Sequence, residues 1–256
     1  MFVSRFKEHE FLFSELVKRD FKKKYKRTYL GMLWSILSPL LSLLVMRLVF
    51  TQFFGRSMDH YTTYLFCGNI IYSFFSEATG GGMGALMNNS SIFSKINVPK
   101  YLFLFSKSIS SLINFGLTFL VFLLFCAIDG VAFTPYFFAL IIPIICLIVF
   151  NIGIGLILSA LFVFFRDIQY LWSVFTMLLM YMSAIFYTID EFSPTIQMIF
   201  HLNPIFVYIK YFRVLVLDGQ MPSLEVNVLA VAYALLAFGI GALIYKKKNH
   251  KFLYYI

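Results

Sequence analysis

Six apolar stretches, each long enough to cross lipid, leave this chain few places to fold other than a bilayer. They run over about 30–54, 61–87, 101–128, 136–165, 169–187 and 226–245. A helix rises about 1.5 Å per residue, so roughly 20 residues traverse a hydrocarbon core about 30 Å thick. Apolar residues are 61% of 256 and charged residues 13%, too little charge to clothe a soluble domain of that size. The expectation is an all-α integral membrane protein with six transmembrane helices.

Residues 1–29 read differently. Arg5, Lys7, Lys18, Arg19, Lys22, Lys23, Lys24, Lys26 and Arg27 alternate with Glu8, Glu10, Glu15 and Asp20, and no Pro or Gly interrupts them. Phe2, Phe6, Phe13, Leu16 and Val17 recur at roughly helical spacing. That pattern predicts a cytoplasmic amphipathic interface helix lying on the membrane. A solvated, frayed tail is the other reading, and the aromatics, which need cover, argue against it. No cleavable signal peptide is expected, so the first span serves as its own insertion signal. The chain divides into this helix (1–29) and one membrane domain (30–256).

Inside the spans a few residues break the apolar pattern. The first holds Trp34, Pro39 and Arg47, whose long side chain is expected to snorkel to an interface. The second holds Glu77 and Gly80-Gly81-Gly82 with Gly84. A carboxylate at that depth must face protein or water, and the glycines read as helix packing. The fourth carries a small-residue face at Gly153, Gly155 and Ser159. In 88–100, Ser90 and Ser91 are expected to cap a short helix that Pro99 stops. Over 188–224 two apolar pieces, 196–200 and 205–217, are each too short to span and are separated at Asn203-Pro204. They read as two half-helices on or dipping into the outer membrane face, with a plain extracellular loop as the alternative.

Basic residues set the orientation. With the N-terminus inside, all of the 21 Lys and Arg residues except Arg47, Arg56, Lys210 and Arg213 fall in or beside inner segments. Both termini are then cytoplasmic. The net charge of +9 fits an anionic inner leaflet and no nucleic acid partner.

Candidate chemistry is sparse. Cys67, Cys126 and Cys146 lie in apolar stretches and read as small buried hydrophobes. His9, His60, His201 and His250 fall in loops or tails, and the twelve acidic residues are scattered, so no metal site is expected. The glycine run lacks the Lys of a phosphate-cradling loop. Glu77 and Arg47 are thin support for an ion-driven carrier. What remains is a non-catalytic conduit with an external engine, docking on 88–100 and on the Arg166-Asp167 turn.

The run from Arg19 to Pro39 contains Arg19-Asp20, Tyr29-Leu30-Gly31-Met32-Leu33-Trp34 and Pro39. It resembles the opening of the permease subunit of polysaccharide-exporting type-2 ABC transporters, the group that moves O-antigen, teichoic acid and capsule. Phe164-Phe165-Arg166-Asp167 and Leu202-Asn203-Pro204 agree with it. The resemblance implies a homodimer paired with two copies of a separate ATPase subunit, which binds the ATP and Mg; no cofactor is expected in this chain. It implies a bacterial cytoplasmic membrane location and an undecaprenyl-linked polysaccharide substrate. It further implies a coupling helix in contact with the ATPase over Ser90, Ser91, Ile92, Phe93, Ser94, Lys95, Ile96, Asn97, Pro99 and Lys100, joined by Arg166 and Asp167. Two short re-entrant gate helices between the fifth and sixth spans form an outer gate around Pro194, Asn203 and Pro204.

In that family the first and fifth spans line the channel with aromatic side chains, here Trp34, Phe53, Phe54, Trp172, Phe175, Tyr181, Phe186 and Tyr187. Sugar rings present apolar faces that stack on aromatics, and a conveyor binds weakly at many places. Lipid contact is the competing reading for each. Arg19, Lys22 and Lys26 are positioned to meet a substrate pyrophosphate at the entrance or, equally, bulk anionic lipid. The alternatives are a type-2 ABC permease for a drug or small lipid and, in another class, a membrane glycolipid transferase.

Overall fold

The computed structural model describes residues 10–25, 28–54, 59–95, 98–190 and 192–255. Among these, every regular element is helical. Helix α1 is Glu10–Tyr25; a 3-10 turn, Gly31–Leu33, leads into α2, Trp34–Phe54. Helix α3 is Tyr61–Met83, α4 the single turn Ser90–Phe93, and α5 Tyr101–Ile128. A second 3-10 turn, Pro135–Leu140, leads into α6, Ile141–Phe164, followed by α7, Ile168–Met182. Then come α8, Pro194–His201, and α9, Pro204–Arg213, which runs on as a π turn, Val214–Asp218. Helix α10 is Leu224–Lys248 and α11 Phe252–Tyr255. The amphipathic helix expected over 1–29 is thus described from Glu10; residues 1–9, 26 and 27 lie outside the described residues.

Among the described residues, three helical stretches are long and apolar enough to cross a membrane: Tyr101–Ile128, Pro135–Phe164 and Leu224–Lys248. The pair Pro194–His201 and Pro204–Asp218 passes as a fourth only when joined, and it is bent by 101°. Helix α3 has 23 residues but carries Asn69, Ser73, Glu77 and a glycine run. Its polar groups are tolerated because α2, α5, α6, α7 and α9 all pack around it.

Close backbone approach locks α6 to α10, the most extensive helix pair in the fold. A Cβ at Gly153 would run into the backbone of Ala237 and Phe238, and one at Gly241 into the carbonyl of Gly153. Gly82 of α3 likewise lies against Gly155 of α6, where a Cβ would meet the Gly155 Cα at 3.3 Å. The small-residue face expected in the fourth stretch is therefore a real packing face, used by both α3 and α10.

Helix α7 stops at Met182, short of the expected end at 187, although the following residues are still apolar. Partners distant in sequence hold the chain in its turn. Asn203 Nδ2 donates to the Met182 carbonyl (3.0 Å) and to Ser183 Oγ (2.9 Å). The Arg213 guanidinium donates to the carbonyls of Ala184 (2.8 Å) and Ile185 (3.0 Å), and more weakly to that of Tyr64 (3.3 Å). It also stacks 3.4 Å from the centroid of the Tyr64 ring. Arg213 is only 8% exposed, and Ala184 sits at φ 49. Gly68 makes the room, since a Cβ there would stand 3.0 Å from Arg213 Nη2.

The break between α8 and α9 falls at Asn203-Pro204, where the sequence places it. Asn203 caps α9 by accepting from the Ile205 N–H (3.0 Å), and Pro204 occupies the first helical position, where a missing N–H costs nothing. The two half-helices have different fates. Helix α9 is buried on almost every side, with Tyr208 donating to the Ala230 carbonyl (2.9 Å) and Tyr211 to Asn227 Oδ1 (2.6 Å). Helix α8 has no buried residue. Asn203→Ala removes a cap and a tie to α7 together, and is expected to cost about 2 kcal/mol, read as a lower unfolding temperature in detergent.

Candidate functional site

Helices α2 and α7 flank α3. Phe50 of α2 stacks on Phe186 at 4.4 Å, Trp172 of α7 meets Phe75 of α3 edge-on at 5.9 Å, and Tyr72 donates to the Thr176 carbonyl (2.8 Å). Their outward faces remain uncovered: Leu41, Leu44, Val45 and Leu48 on α2, and Leu171, Val174, Met177 and Leu178 on α7. Arg47 lies on the exposed side of α2.

The aromatic candidates divide on this frame. Trp34, Phe175 and Tyr181 are exposed at 39%, 47% and 56%. Trp172 is half-buried against Phe75 and Phe175, with an indole N–H that has no partner among the described residues. Phe186 is 6% exposed beneath Phe50, in the non-helical segment after α7. Tyr187 is half-buried and donates to the Tyr181 carbonyl (2.7 Å). Phe53 and Phe54 end α2; their side chains lie outside the described residues, as do Lys26, Ile96 and Asn97 entirely.

One end of the molecule gathers the segments expected to meet an engine. Leu16 of α1, Phe93 of α4, Phe103 and Leu104 of α5, Tyr245 of α10 and Phe252 of α11 form a single apolar cluster. Phe93 anchors α4 on Phe103 at 5.8 Å and leaves Ser91, Ser94 and Lys95 exposed. Ser90 and Ser91 lie inside this turn rather than capping it. Asn89 takes the cap position without a side-chain cap bond, because its amide donates back to the Ala85 carbonyl (2.8 Å). The turn ends at Phe93, well before Pro99. Lys100 points inward: its ammonium donates to the Asn249 carbonyl (2.8 Å) over the rings of Phe93 and Phe252, and desolvation there pushes its pKa below the ordinary lysine value. Arg166 and Asp167 are exposed in the tight turn before α7.

At the same end a cavity of about 1400 Å³ opens between α1, α3 and α5. Its walls carry Arg19, Lys22 and Lys23 from α1 and Lys107 from α5, with Asp20 and Glu77. Arg19 is held by Asp20 at 2.7 Å. Gly80 and Gly81 leave that side of α3 bare, and the stem of Lys107 crosses Gly81 closely. A smaller cavity of about 360 Å³ lies deeper, between α2, α3 and α5, and Glu77 lines it too. Glu77 accepts from Asn114 Nδ2 (2.7 Å). Sequence reasoning singled out Glu77 and the α1 cations but missed Lys107, which reads as one more inner-leaflet charge until α5 is laid against α3.

At the opposite end, Pro194 opens α8 on the surface, while Asn203 and Pro204 form the buried bend already described. His201 sits between Lys210 Nζ (3.1 Å) and Glu225 (3.1 Å), with Lys210 donating to Nε2 and Nδ1–H donating to the carboxylate. The Tyr233 hydroxyl donates to its carbonyl (2.9 Å).

Apolar helices too long and too numerous for a soluble core, wrapped around one polar helix and opening on a basic vestibule, define an integral membrane protein of the permease class. The chain belongs to the ABC-2 type transporter family, whose model matches residues 12–217. It is 25% identical to the O-antigen export system permease protein RfbA of Myxococcus xanthus, over 94% of each chain. It is 27% identical to the RfbA permease of Klebsiella pneumoniae, over 94% of this chain and 95% of that one. It is 22% identical to the polysialic acid transport protein KpsM of Escherichia coli, over 93% of each.

Proposed function

We propose that this chain is the channel-forming permease subunit of an ATP-driven exporter that moves a lipid-linked polysaccharide, O-antigen-like or teichoic acid, across the bacterial cytoplasmic membrane. The relatives' names supply the substrate class. The observation that carries the mechanism is the pair of uncovered faces on α2 and α7, with Phe175 and Tyr181 on the face of α7 and Trp34 at the edge of that of α2, where it also borders the smaller cavity. Two copies of the chain bring four such faces together around a conduit with aromatic walls.

The six spans are α2, α3, α5, α6, α7 and α10. Both termini are cytoplasmic, a reading supported by the shared apolar cluster of α1, α4, α10 and α11 and by Lys246, Lys247 and Lys248 at the end of α10. Two ATPase subunits, which bind the ATP and Mg, dock on α4 and the Arg166-Asp167 turn. Because Phe93 ties α4 to α5, a push on Ser91, Ser94 and Lys95 is transmitted as a rigid-body shift of α5 and its neighbours. The undecaprenyl diphosphate of the substrate meets Arg19, Lys22 and Lys26 at the entrance. Helices α8 and α9 form the outer gate. No covalent step occurs in this chain.

Co-purification with its partner ATPase subunit, followed by ATP hydrolysis with and without polymer, tests this. Polymer is expected to stimulate hydrolysis severalfold. Trp34→Ala and Tyr181→Ala each lose a stacking surface of about 1 kcal/mol, so half-maximal stimulation should need about fivefold more polymer. A complex indifferent to polymer would refute the assignment.

A further inference from the structure

The small cavity beyond Glu77 has a composition of its own. Three helices each present polar residues on one face, at helical spacing: Ser35, Ser38 and Ser42 on α2; Asn69, Ser73 and Glu77 on α3; Ser111, Asn114 and Thr118 on α5. Trp34, Phe74 and Phe115 add aromatic surface to the wall. Hydroxyls at membrane depth are expensive unless they have partners or water, and here Ser111 Oγ is buried with none among the described residues. The volume, about 360 Å³, is that of a small-ligand pocket.

The chemistry of these walls selects a ligand. Neutral donors and acceptors surround one carboxylate, which suits neither a divalent cation, needing several anionic oxygens, nor an acyl chain. Amide, hydroxyl and carboxylate groups beside an indole face suit a pyranose ring, which has polar edges and an apolar face. Glu77 borders both this pocket and the vestibule. The vestibule brings Arg19, Lys22, Lys23 and Lys107 to the same place, as a diphosphate requires.

We infer that each protomer binds the saccharide nearest the diphosphate of its substrate in this pocket, with Glu77 and Asn114 taking the sugar hydroxyls, Trp34 stacking on the ring, and Lys107 holding the diphosphate from the α5 side. The inference rests on the exporter reading and deepens it. It makes the pocket a check on what is loaded, made within one subunit before the polymer reaches the conduit between subunits.

The chain has two tryptophans, so Trp172→Phe leaves Trp34 as the sole reporter at the pocket wall. The permease–ATPase complex in phosphatidylcholine nanodiscs is titrated with farnesyl diphosphate and with farnesyl diphospho-N-acetylglucosamine, following Trp34 fluorescence. The sugar-bearing probe should bind about tenfold tighter, the equivalent of one or two good hydrogen bonds. Glu77→Gln and, independently, Ser73→Leu, which fills the pocket, should reduce that ratio to below about twofold. Lys107→Ala should weaken both probes by about tenfold. Equal affinity for the two probes, or a ratio untouched by Ser73→Leu, overturns the inference. If polymer still stimulates hydrolysis in that case, the pocket fails and the exporter stands; if polymer does not, the exporter reading itself has failed.

Discussion

Arg213→Ala is expected to unfold the end of the protein where α7, α8 and α9 meet, and to abolish export. The guanidinium makes two well-formed bonds to the carbonyls of Ala184 and Ile185, at 2.8 and 3.0 Å, and covers the Tyr64 ring. Hydrogen bonds to a charged group contribute about 1.5–3 kcal/mol each, so truncation should cost about 3–6 kcal/mol. The loss falls on three elements together, because this side chain joins α9 to α3 and to the turn that ends α7. At about 2–4 °C per kcal/mol the unfolding temperature should drop by at least about 6 °C. Arg213→Lys keeps the charge but not the fork, so it should recover only part of the loss. Gly68→Ala crowds Arg213 Nη2 and Ile185 from the opposite side and should cost about 1–3 kcal/mol by overpacking. Combining Gly68→Ala with Arg213→Ala should then cost less than the sum. An Arg213→Ala protein that melts with the wild type would show that this end is held by α9 packing alone.

None of this was visible in the order of the residues. Arg213 counted merely as one of four basic residues on the outer side. The apolar letters Ala184-Ile185-Phe186 gave no reason for α7 to stop at Met182. Run length reports where a helix is affordable in lipid, while its end is decided by what donates to the freed carbonyls. Here the acceptors' partners, Asn203 and Arg213, come from a later segment. The bend at Asn203-Pro204 was legible because its cause is local: a capping amide followed by a ring that supplies no N–H. The expected cap at Ser90 failed for the complementary reason. Asn89 precedes it, and its side chain turns back to the preceding turn at Ala85.

The cavities show the same division. Glu77 stood out singly as a carboxylate that must avoid lipid, and it does line two cavities. The other eight polar residues that its three helices present passed as background, since Ser and Thr at single sites in apolar helices usually bond to their own backbone. Their spacing of three and four within α2, α3 and α5 carried the signal. Only the packing of those three helices turns three polar faces into one pocket.

Replacing Gly153 tests the most tightly packed contact in the fold, and Gly153→Leu is expected to separate α6 from α10. A Cβ at this position meets the main chain of Ala237 and Phe238, which no rotamer change can move aside. Gly153→Ala alone should cost about 3 kcal/mol, the upper end for overpacking, and leucine more. Gly239 lies on α10 beside this contact, and a Cβ there meets nothing within 4 Å. Gly239→Ala should therefore be neutral or stabilising by up to about 1 kcal/mol through helix propensity. Comparing the two separates the effect of lost glycine flexibility from that of lost helix approach. The readouts are monodispersity and unfolding temperature of the purified permease. Because α6 also meets α3 through Gly155 and Gly82, separation at Gly153 should loosen α3 as well, and with it the cavity walls at Ser73 and Glu77. A Gly153→Leu protein that stays monodisperse with an unchanged melt would mean that α6 and α10 are not held at the distance these glycines require.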